Sequence, residues 1–207
     1  PTYPPRRNAA LDRIERIIVD SGASVALTTG KISSQSANRT GGDVWLNCVS
    51  WVATDGDLAQ EAPGEWERPA ISGDMLALLQ YTSGSTAAPK GVMVSHRNLL
   101  LTLEDMDRGW QHDADSVLVT WLPMFHDMGL IYGILEPLPK GIHCVMMAPA
   151  AFLQRPVRWL QAISRFRATH SGGPNFAYEL CVSKIPASER AALDLSTPPP
   201  QQLPALG

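Results

Sequence analysis

The sequence predicts an α/β fold in which flanking helices cover a largely parallel sheet. Short apolar runs typical of strands alternate along the chain with segments whose apolar residues recur at helical spacing. Clusters of Gly, Pro, Ser and Asn separate many of these segments, as expected for turns. A polar loop with glycine and lysine follows one predicted strand, and ligands of such sheets bind in loops at strand ends. We find no internal repeat.

The N-terminal part of the chain begins with a predicted amphipathic helix over residues 9–20. Asn8 is its expected cap, and Gly22 is expected to end it. The segments that follow are predicted as strands and polar connections: a strand over 24–28, a loop over 30–42, a strand over 44–49 and a linker over 55–74.

From residue 75 onward, strand and helix patterns alternate regularly. The predicted elements are a buried strand over 75–80, a short strand over 92–94, a helix over 97–110, a strand over 116–121, a helix over 128–135, a strand over 143–147 and a helix over 156–167. Ser95 is expected to cap the first of these helices, and Pro156 suits the first turn of the last. Trp159 and Phe166 share one apolar face of that last helix, so we expect both in the core.

The loop between the strands at 75–80 and 92–94 is predicted to bind the phosphates of a nucleotide. Its candidate nucleotide-binding residues are Thr82, Ser83, Gly84, Ser85, Thr86, Lys90 and Gly91. Hydroxyls donate to phosphate oxygens, glycines let backbone N–H groups approach a ligand, and lysine adds a positive charge. The P-loop pattern is excluded, because Pro89 precedes Lys90 and Gly91 follows it. The alternative is an ordinary polar surface turn.

Two further segments contain candidate substrate-binding residues. His126 and Asp127 stand between a predicted strand and a predicted helix. The imidazole could donate to or pair with the carboxylate of a bound acid, while Asp127 could orient the ring or cap the helix. A capping pair on the surface is the alternative. Residues 172–174, Gly-Gly-Pro, are typical of a strand-to-helix turn, with Asn175 as the expected cap.

Three stretches of the chain resemble one known family. YTSGSTAAPKGVMVSHRNLL (81–100) resembles the phosphate-binding signature of the adenylate-forming superfamily, with Ala87 where most members carry Gly. WLPMFHDMGLIYGILEPL (121–138) resembles the motif that follows this signature in fatty acyl-AMP ligases. THSGGPNFAY (169–178) is similar to the segment that borders the acyl pocket of those ligases. The resemblance extends over residues 4–196.

The resemblance implies part of the large N-terminal domain of the adenylate-forming fold. It further implies that the parent enzyme uses ATP and Mg²⁺ to convert a fatty acid into an acyl-adenylate and pyrophosphate, for transfer to the phosphopantetheine of an acyl carrier protein, as in polyketide biosynthesis. It assigns Lys90 and His126 as catalytic and Thr86 as a metal ligand. The implied substrate-binding residues are His126, Asp127, Ser171, Gly172, Gly173, Pro174 and Asn175. An acyl-CoA synthetase that uses free coenzyme A and an inert fragment are the alternatives.

The amino-acid composition limits the classes of protein to which the chain can belong. With 44% hydrophobic residues the chain suits a globular protein, and no apolar run approaches the roughly 20 residues that span a bilayer, so we expect a cytoplasmic setting. The three cysteines, Cys48, Cys144 and Cys181, are too widely spaced to indicate a disulfide framework or a zinc site. A net charge of −3 argues against nucleic acid as the main partner.

The domain expected from this pattern is a partial AMP-binding domain over residues 1–196. Residues 197–207 depart from the family pattern, and their prolines cannot donate to the hydrogen bonds of a central strand. The adenine, ribose and metal motifs, the hinge and a small C-terminal domain are expected in the parent enzyme but not in this chain. The chain by itself is therefore expected to be inactive.

Overall fold

A computed structural model describes residues 8–37, 49–56, 64, 67–82 and 90–196. The chain divides into two compact units, residues 1–99 and 100–207. Each unit is described separately below.

The first unit begins with a helix and two paired strands. Helix α1 (Asn8–Ser21) ends before Gly22, whose positive φ of 64° terminates the helix as the sequence predicts. Strand β1 (Val25–Thr28) pairs in parallel with β2 (Ser50–Ala53). This pairing is the parallel arrangement expected of an α/β fold.

One prediction in this region is wrong, and another lies almost wholly outside the described residues. Residues 30–37 form helix α2 (Gly30–Ala37) instead of a loop, because the Asp55 carboxylate accepts the Gly30 N–H at 2.6 Å and so satisfies the start of the helix. The composition of residues 30–37 cannot predict this contact, because Asp55 is distant in sequence. The second strand begins at Ser50, and Val49 lies in a bend, whereas residues 44–48 lie outside the described residues.

The other strands of the first unit form an antiparallel hairpin. Strand β3 (Leu76–Thr82) pairs with β4 (Lys90–Ser95), so both predicted strands are present. The expected burial of residues 75–80 is wrong, since Met75 is 48% and Leu76 47% exposed. An apolar run indicates a strand, but burial depends on what covers its faces.

Helix α3 (His96–Trp110) begins with the cap that the sequence predicts. The hydroxyl of Ser95 accepts the N–H of Asn98 at 3.1 Å, and the Asn98 side chain accepts the N–H of Ser95 at 3.2 Å. This reciprocal pair satisfies two backbone groups at the start of the helix.

A three-stranded parallel sheet is the centre of the second unit. Strand β5 (Val117–Thr120) lies between β6 (His143–Met146) and β7 (His170–Ser171). The strands predicted over 116–121 and 143–147 are thereby confirmed. The carboxyl ends of the three strands point to one edge of the sheet, because all three run in the same direction.

Short helices surround this sheet. In chain order they are α4 (Asp127–Leu130), a π-helical segment (Ile131–Leu135), α5 (Pro137–Lys140), α6 (Pro149–Gln154), α7 (Val157–Phe166), α8 (Asn175–Lys184) and α9 (Ala187–Ala191). The helix predicted over 128–135 is confirmed, with a π-helical second half. Helix α7 starts after Pro156 and ends at Phe166, and the next residue, Arg167, has a φ of 51°. Helices α5, α6 and α9 are not predicted from the sequence, because each is too short to show a periodic pattern of apolar residues.

Aromatic residues dominate the core of the second unit. Trp121 stacks on Phe152 with ring centroids 4.1 Å apart, and Trp159 meets both rings edge-on. Trp159 is 2% exposed, which confirms its predicted core position. Phe166 is 37% exposed, so its predicted burial is wrong. It is the last residue of α7.

A polar cluster interrupts this apolar interior. His112 and Glu136 have side chains that are 1% and 2% exposed, and their nearest nitrogen and oxygen are 3.3 Å apart. Burial, and secondarily the neighbouring His170, lower the pKa of His112. Burial and the negative charge of Asp107 raise the pKa of Glu136 to about 7. The interior therefore disfavours the charged forms of both groups.

Two further findings concern the helices and the cysteines. Within the parts of the chain that the structure describes, no helix combines the length and apolar character that crossing a bilayer demands. Cys144 and Cys181 are free thiols, as expected from their spacing, whereas Cys48 lies outside the described residues.

Candidate active site

The predicted phosphate loop connects the two strands of the β3–β4 hairpin. Thr82, the last residue of β3, pairs directly with Lys90, the first residue of β4. Residues 83–89 lie outside the described residues, so the assignments of Ser83, Gly84, Ser85 and Thr86 stay predictions. Lys90 is exposed at the loop end of the hairpin, where its ammonium group is available to an anion.

Gly91 has a packing role that the sequence does not reveal. A Cβ on Gly91 would lie 2.9 Å from the Tyr81 ring, which crosses over this position of the partner strand. The Tyr81 hydroxyl donates to Asp20 at 2.5 Å, and this bond ties the hairpin to α1. Gly91 therefore makes room for the side chain that anchors the base of the loop.

Replacing Gly91 with alanine is expected to lower the free energy of unfolding by about 1 kcal/mol, because the new methyl group displaces Tyr81 and breaks its hydrogen bond. Urea denaturation measures this change. The control is the same substitution in a Tyr81→Ala background, where no ring remains to be displaced and the cost should nearly vanish. An equal cost in both backgrounds would show that Gly91 does not act through Tyr81.

In the second unit, the two predicted substrate segments meet at the carboxyl edge of the sheet. Residues 121–127 follow β5, and residues 172–175 follow β7. Contact between them is direct, since a Cβ on Gly173 would lie 2.9 Å from the Trp121 ring. Open α/β sheets bind ligands at this edge.

Trp121 is the residue at this edge that sequence reasoning missed. Its indole is 3% exposed and packs between Phe152 and the edge of Phe176. The indole N–H has no hydrogen-bond acceptor among the residues that the structure describes. The available signal was its position at the start of the Trp-Leu-Pro motif that leads to His126.

Ser171 is fully engaged in holding the strands together. Its hydroxyl donates to the Val119 carbonyl at 2.7 Å and accepts the Trp159 indole N–H at 2.7 Å. The side chain is thus bonded to a strand on one side and to α7 on the other. Ser171 therefore holds the start of the glycine turn in place. Its hydroxyl has little hydrogen-bonding capacity left for a ligand.

His126 and Asp127 form a pair at the start of α4. Asp127 Oδ1 lies 2.5 Å from His126 Nδ1 and accepts the Met128 N–H at 2.7 Å. The Met128 N–H also lies 3.4 Å from Nδ1, but the much shorter contact between Nδ1 and the carboxylate needs a proton between the two atoms, so we assign Nδ1 as a donor to Asp127. Nε2 is then the ring nitrogen left for an external partner, and the side chain is 60% exposed. The carboxylate of Asp127 is placed to orient the ring, whereas the N-cap of α4 is His126 and Asp127 is the first helical residue, so the predicted cap at Asp127 is wrong.

Gly129 packs against the turn that precedes His126 and Asp127. A Cβ on Gly129 would lie 2.0 Å from the Pro123 carbonyl oxygen, and the same carbonyl accepts the His126 N–H at 3.0 Å. The turn that carries His126 thus rests directly on Gly129, a second residue that sequence reasoning missed.

The predicted cap at Asn175 is wrong. The N-cap of α8 is Pro174, whose extended conformation leads into the helix, and Asn175 is the first helical residue. Asn175 and Pro174 are exposed, whereas Gly172 is buried. The turn therefore presents its later residues to the surface.

The fold defines the class of protein as an α/β domain with polar loops at the ends of its strands. The sequence profile of the AMP-binding enzyme family matches residues 1–201, and the chain belongs to this family. This match confirms the predicted AMP-binding family.

The chain is similar to fatty acid ligases of this family. The chain is 45% identical over 198 residues to the medium-chain fatty acid acyl-carrier-protein ligase JamA of Moorena producens, covering 95% of this chain and 33% of JamA. It is 37% identical over 204 residues to the long-chain fatty acid AMP ligase FadD23 of Mycobacterium tuberculosis, covering 94% and 34%. The chain thus spans about a third of the length of these curated relatives.

A solved structure shows the same similarity. The fatty acyl-adenylate ligase of L. pneumophila, crystallised with acyl adenylate and pyrophosphate, matches with a TM-score of 0.82 at 37% identity. The match covers 96% of this chain and 34% of the ligase.

Proposed function

We propose that the protein carrying this chain activates a fatty acid with ATP and passes the acyl group to an acyl carrier protein. A carboxylate oxygen of the acid bonds to the α-phosphorus, and the bond from that phosphorus to the leaving pyrophosphate breaks. The phosphopantetheine thiol then displaces AMP. The observation that carries this proposal is the 37% identity, over 96% of this chain, to a ligase crystallised with both products of the first step.

The hairpin loop is proposed to hold the triphosphate. Its hydroxyls, glycines and Lys90 match the donors that phosphate oxygens need, and the exposed Lys90 stands at the strand end beside Thr82. Hard oxygen ligands such as the Thr86 hydroxyl suit Mg²⁺. The bound ion would screen charge on the departing pyrophosphate.

The edge of the second unit is proposed to receive the acid. His126 would offer Nε2 to the carboxylate or to the adenylate, with Asp127 fixing the ring. Gly172, Gly173, Pro174 and Asn175 would border the acyl chain. Phe176, which is 50% exposed next to Trp121, adds apolar surface of the kind an alkyl chain requires.

Three further assignments belong to this proposal. Residues 1–196 would be part of the AMP-binding domain, with residues 197–207 a separate Pro-rich tail. The protein would act in the cytoplasm, where ATP is available. Nucleic acid is not proposed as a partner, since the net charge is −3.

An acyl-CoA synthetase is the second candidate, because FadD21 of M. tuberculosis, 37% identical over 191 residues, carries the name of a fatty-acid–CoA ligase. The test uses the polypeptide encoded by the complete reading frame, labelled fatty acid and MgATP. Coenzyme A and a phosphopantetheinylated carrier protein are supplied in separate reactions. We expect label on the carrier but not on coenzyme A.

Carrier protein without phosphopantetheine is the control and should stay unlabelled. Label on coenzyme A alone would favour the synthetase. Failure to form any acyl-adenylate would overturn both candidates.

A further inference from the structure

Three side chains that the proposed reaction does not use converge inside the second unit. Asp107 lies in the last turns of α3, His112 follows that helix, and Glu136 follows the π-helical segment. Gln111, with a φ of 54°, turns the chain after α3 and leads into His112. Elements separated in sequence thus direct one imidazole and two carboxylates to one point.

The distances between these groups suit a metal ion. His112 Nδ1 is 3.3 Å from Glu136 Oε1 and 3.6 Å from Asp107 Oδ1, and all three ligand atoms lie within 4.8 Å of one another. In a tetrahedral zinc site with metal–ligand bonds of about 2.1 Å, neighbouring ligand atoms are about 3.4 Å apart. Two of the three separations already lie close to this value.

The same three atoms are buried, and they face one another at ion-pair distances without forming a well-directed hydrogen bond. Within the part of the chain that the structure describes, His112 Nδ1, Glu136 Oε1 and Asp107 Oδ1 have no hydrogen-bond partner. Buried polar atoms in native proteins are nearly always paired, and leaving a carboxylate oxygen unpaired is costly. The missing hydrogen bonds therefore indicate that an additional partner belongs between the three atoms.

Neighbouring side chains restrain Asp107 and His112 in this arrangement. Lys140 Nζ donates to Asp107 Oδ2 at 2.6 Å, which leaves Oδ1 to face His112. Such outer hydrogen bonds orient the carboxylate ligands of metal sites. The His170 ring lies 4.4 Å from the His112 ring and restricts its rotation. Glu136 also follows a π-helical segment, a feature common at functional sites.

We propose that Asp107, His112 and Glu136 form a binding site for one Zn²⁺ ion per chain. One nitrogen and two carboxylate oxygens suit zinc, whereas Mg²⁺ and Ca²⁺ prefer ligand sets of oxygen alone. Water would complete the tetrahedron. The ion would cross-link the end of α3 to the end of the π-helical segment, and its role would be structural.

The first test is metal binding by the purified protein after treatment with a chelator. We expect one Zn²⁺ per chain by equilibrium dialysis, and Co²⁺ in its place should give the visible absorption of a four-coordinate ion. At a free Zn²⁺ concentration a hundred times the Kd, the Tm should rise by about 5 to 10 °C. If the protein does not bind one Zn²⁺ per chain, the proposed zinc site is wrong, and the three side chains interact only by sharing protons.

Variants locate the ion. His112→Gln and Glu136→Gln should each abolish stoichiometric binding, whereas His143→Gln, which removes an exposed imidazole from β6, should leave it unchanged. Lys140→Met keeps all three ligands and frees Asp107, so zinc affinity should fall by about 10- to 100-fold. This exposed position keeps the test valid if a buried variant fails to fold. Unchanged affinity in Lys140→Met and His112→Gln would place the zinc elsewhere.

Discussion

Replacing Lys90 with alanine is expected to slow the exchange of pyrophosphate into ATP about a hundredfold. Lys90 is exposed at the end of the hairpin, opposite Thr82, and no ion pair engages it among the residues that the structure describes. Its charge is therefore available to stabilise the negative charge that develops on the leaving pyrophosphate. Removing one such preorganised group slows a reaction by about two orders of magnitude.

The measurement is the rate of labelled pyrophosphate exchange by the complete protein at saturating fatty acid. Lys184→Ala is the matched control, because it removes an exposed lysine at the end of α8 and should leave the exchange rate unchanged. If Lys90→Ala exchanges pyrophosphate at the normal rate, Lys90 has no part in the reaction.

Replacing Gly129 with alanine is expected to lower the free energy of unfolding by about 3 kcal/mol. The new Cβ would lie 2.0 Å from the Pro123 carbonyl oxygen and 2.5 Å from its carbon. Both atoms belong to the backbone, so no side-chain rotation can relieve the overlap. The turn must move, and His126 moves with it, because its N–H is bonded to the same carbonyl.

Urea denaturation measures the loss of stability, and acyl-adenylate formation reports the displacement of His126. Gly109→Ala is the control, since a Cβ at this exposed position of α3 meets nothing within 4 Å. It should stabilise the helix by up to about 1 kcal/mol. Equal effects of the two substitutions would contradict the steric argument.

Local patterns were sufficient for much of the fold. The apolar runs of β5 and β6, the cap at Ser95 and the helical spacing in α7 each depend on residues close together in sequence. The motifs that identify the family are equally local, since each is a continuous stretch. Such features need no knowledge of the neighbours in space.

Other predictions failed where a distant partner decides the outcome. Helix α2 forms because Asp55, far along the chain, accepts the N–H of Gly30. The β3 run is apolar, yet Leu76 stays half-exposed because burial depends on the surface that faces it. Propensity is a weak preference that such tertiary contacts override.

The sequence by itself determined the class of fold, the family and the segments in which ligand-binding residues lie. Only the tertiary structure decided that Gly91 accommodates Tyr81, that Ser171 is committed to Val119, and that Asp107 and His112 meet Glu136. The reason is physical. Elements follow from local periodicity and turn chemistry, whereas the role of a side chain follows from atoms that approach it across the fold, which no short stretch of sequence contains.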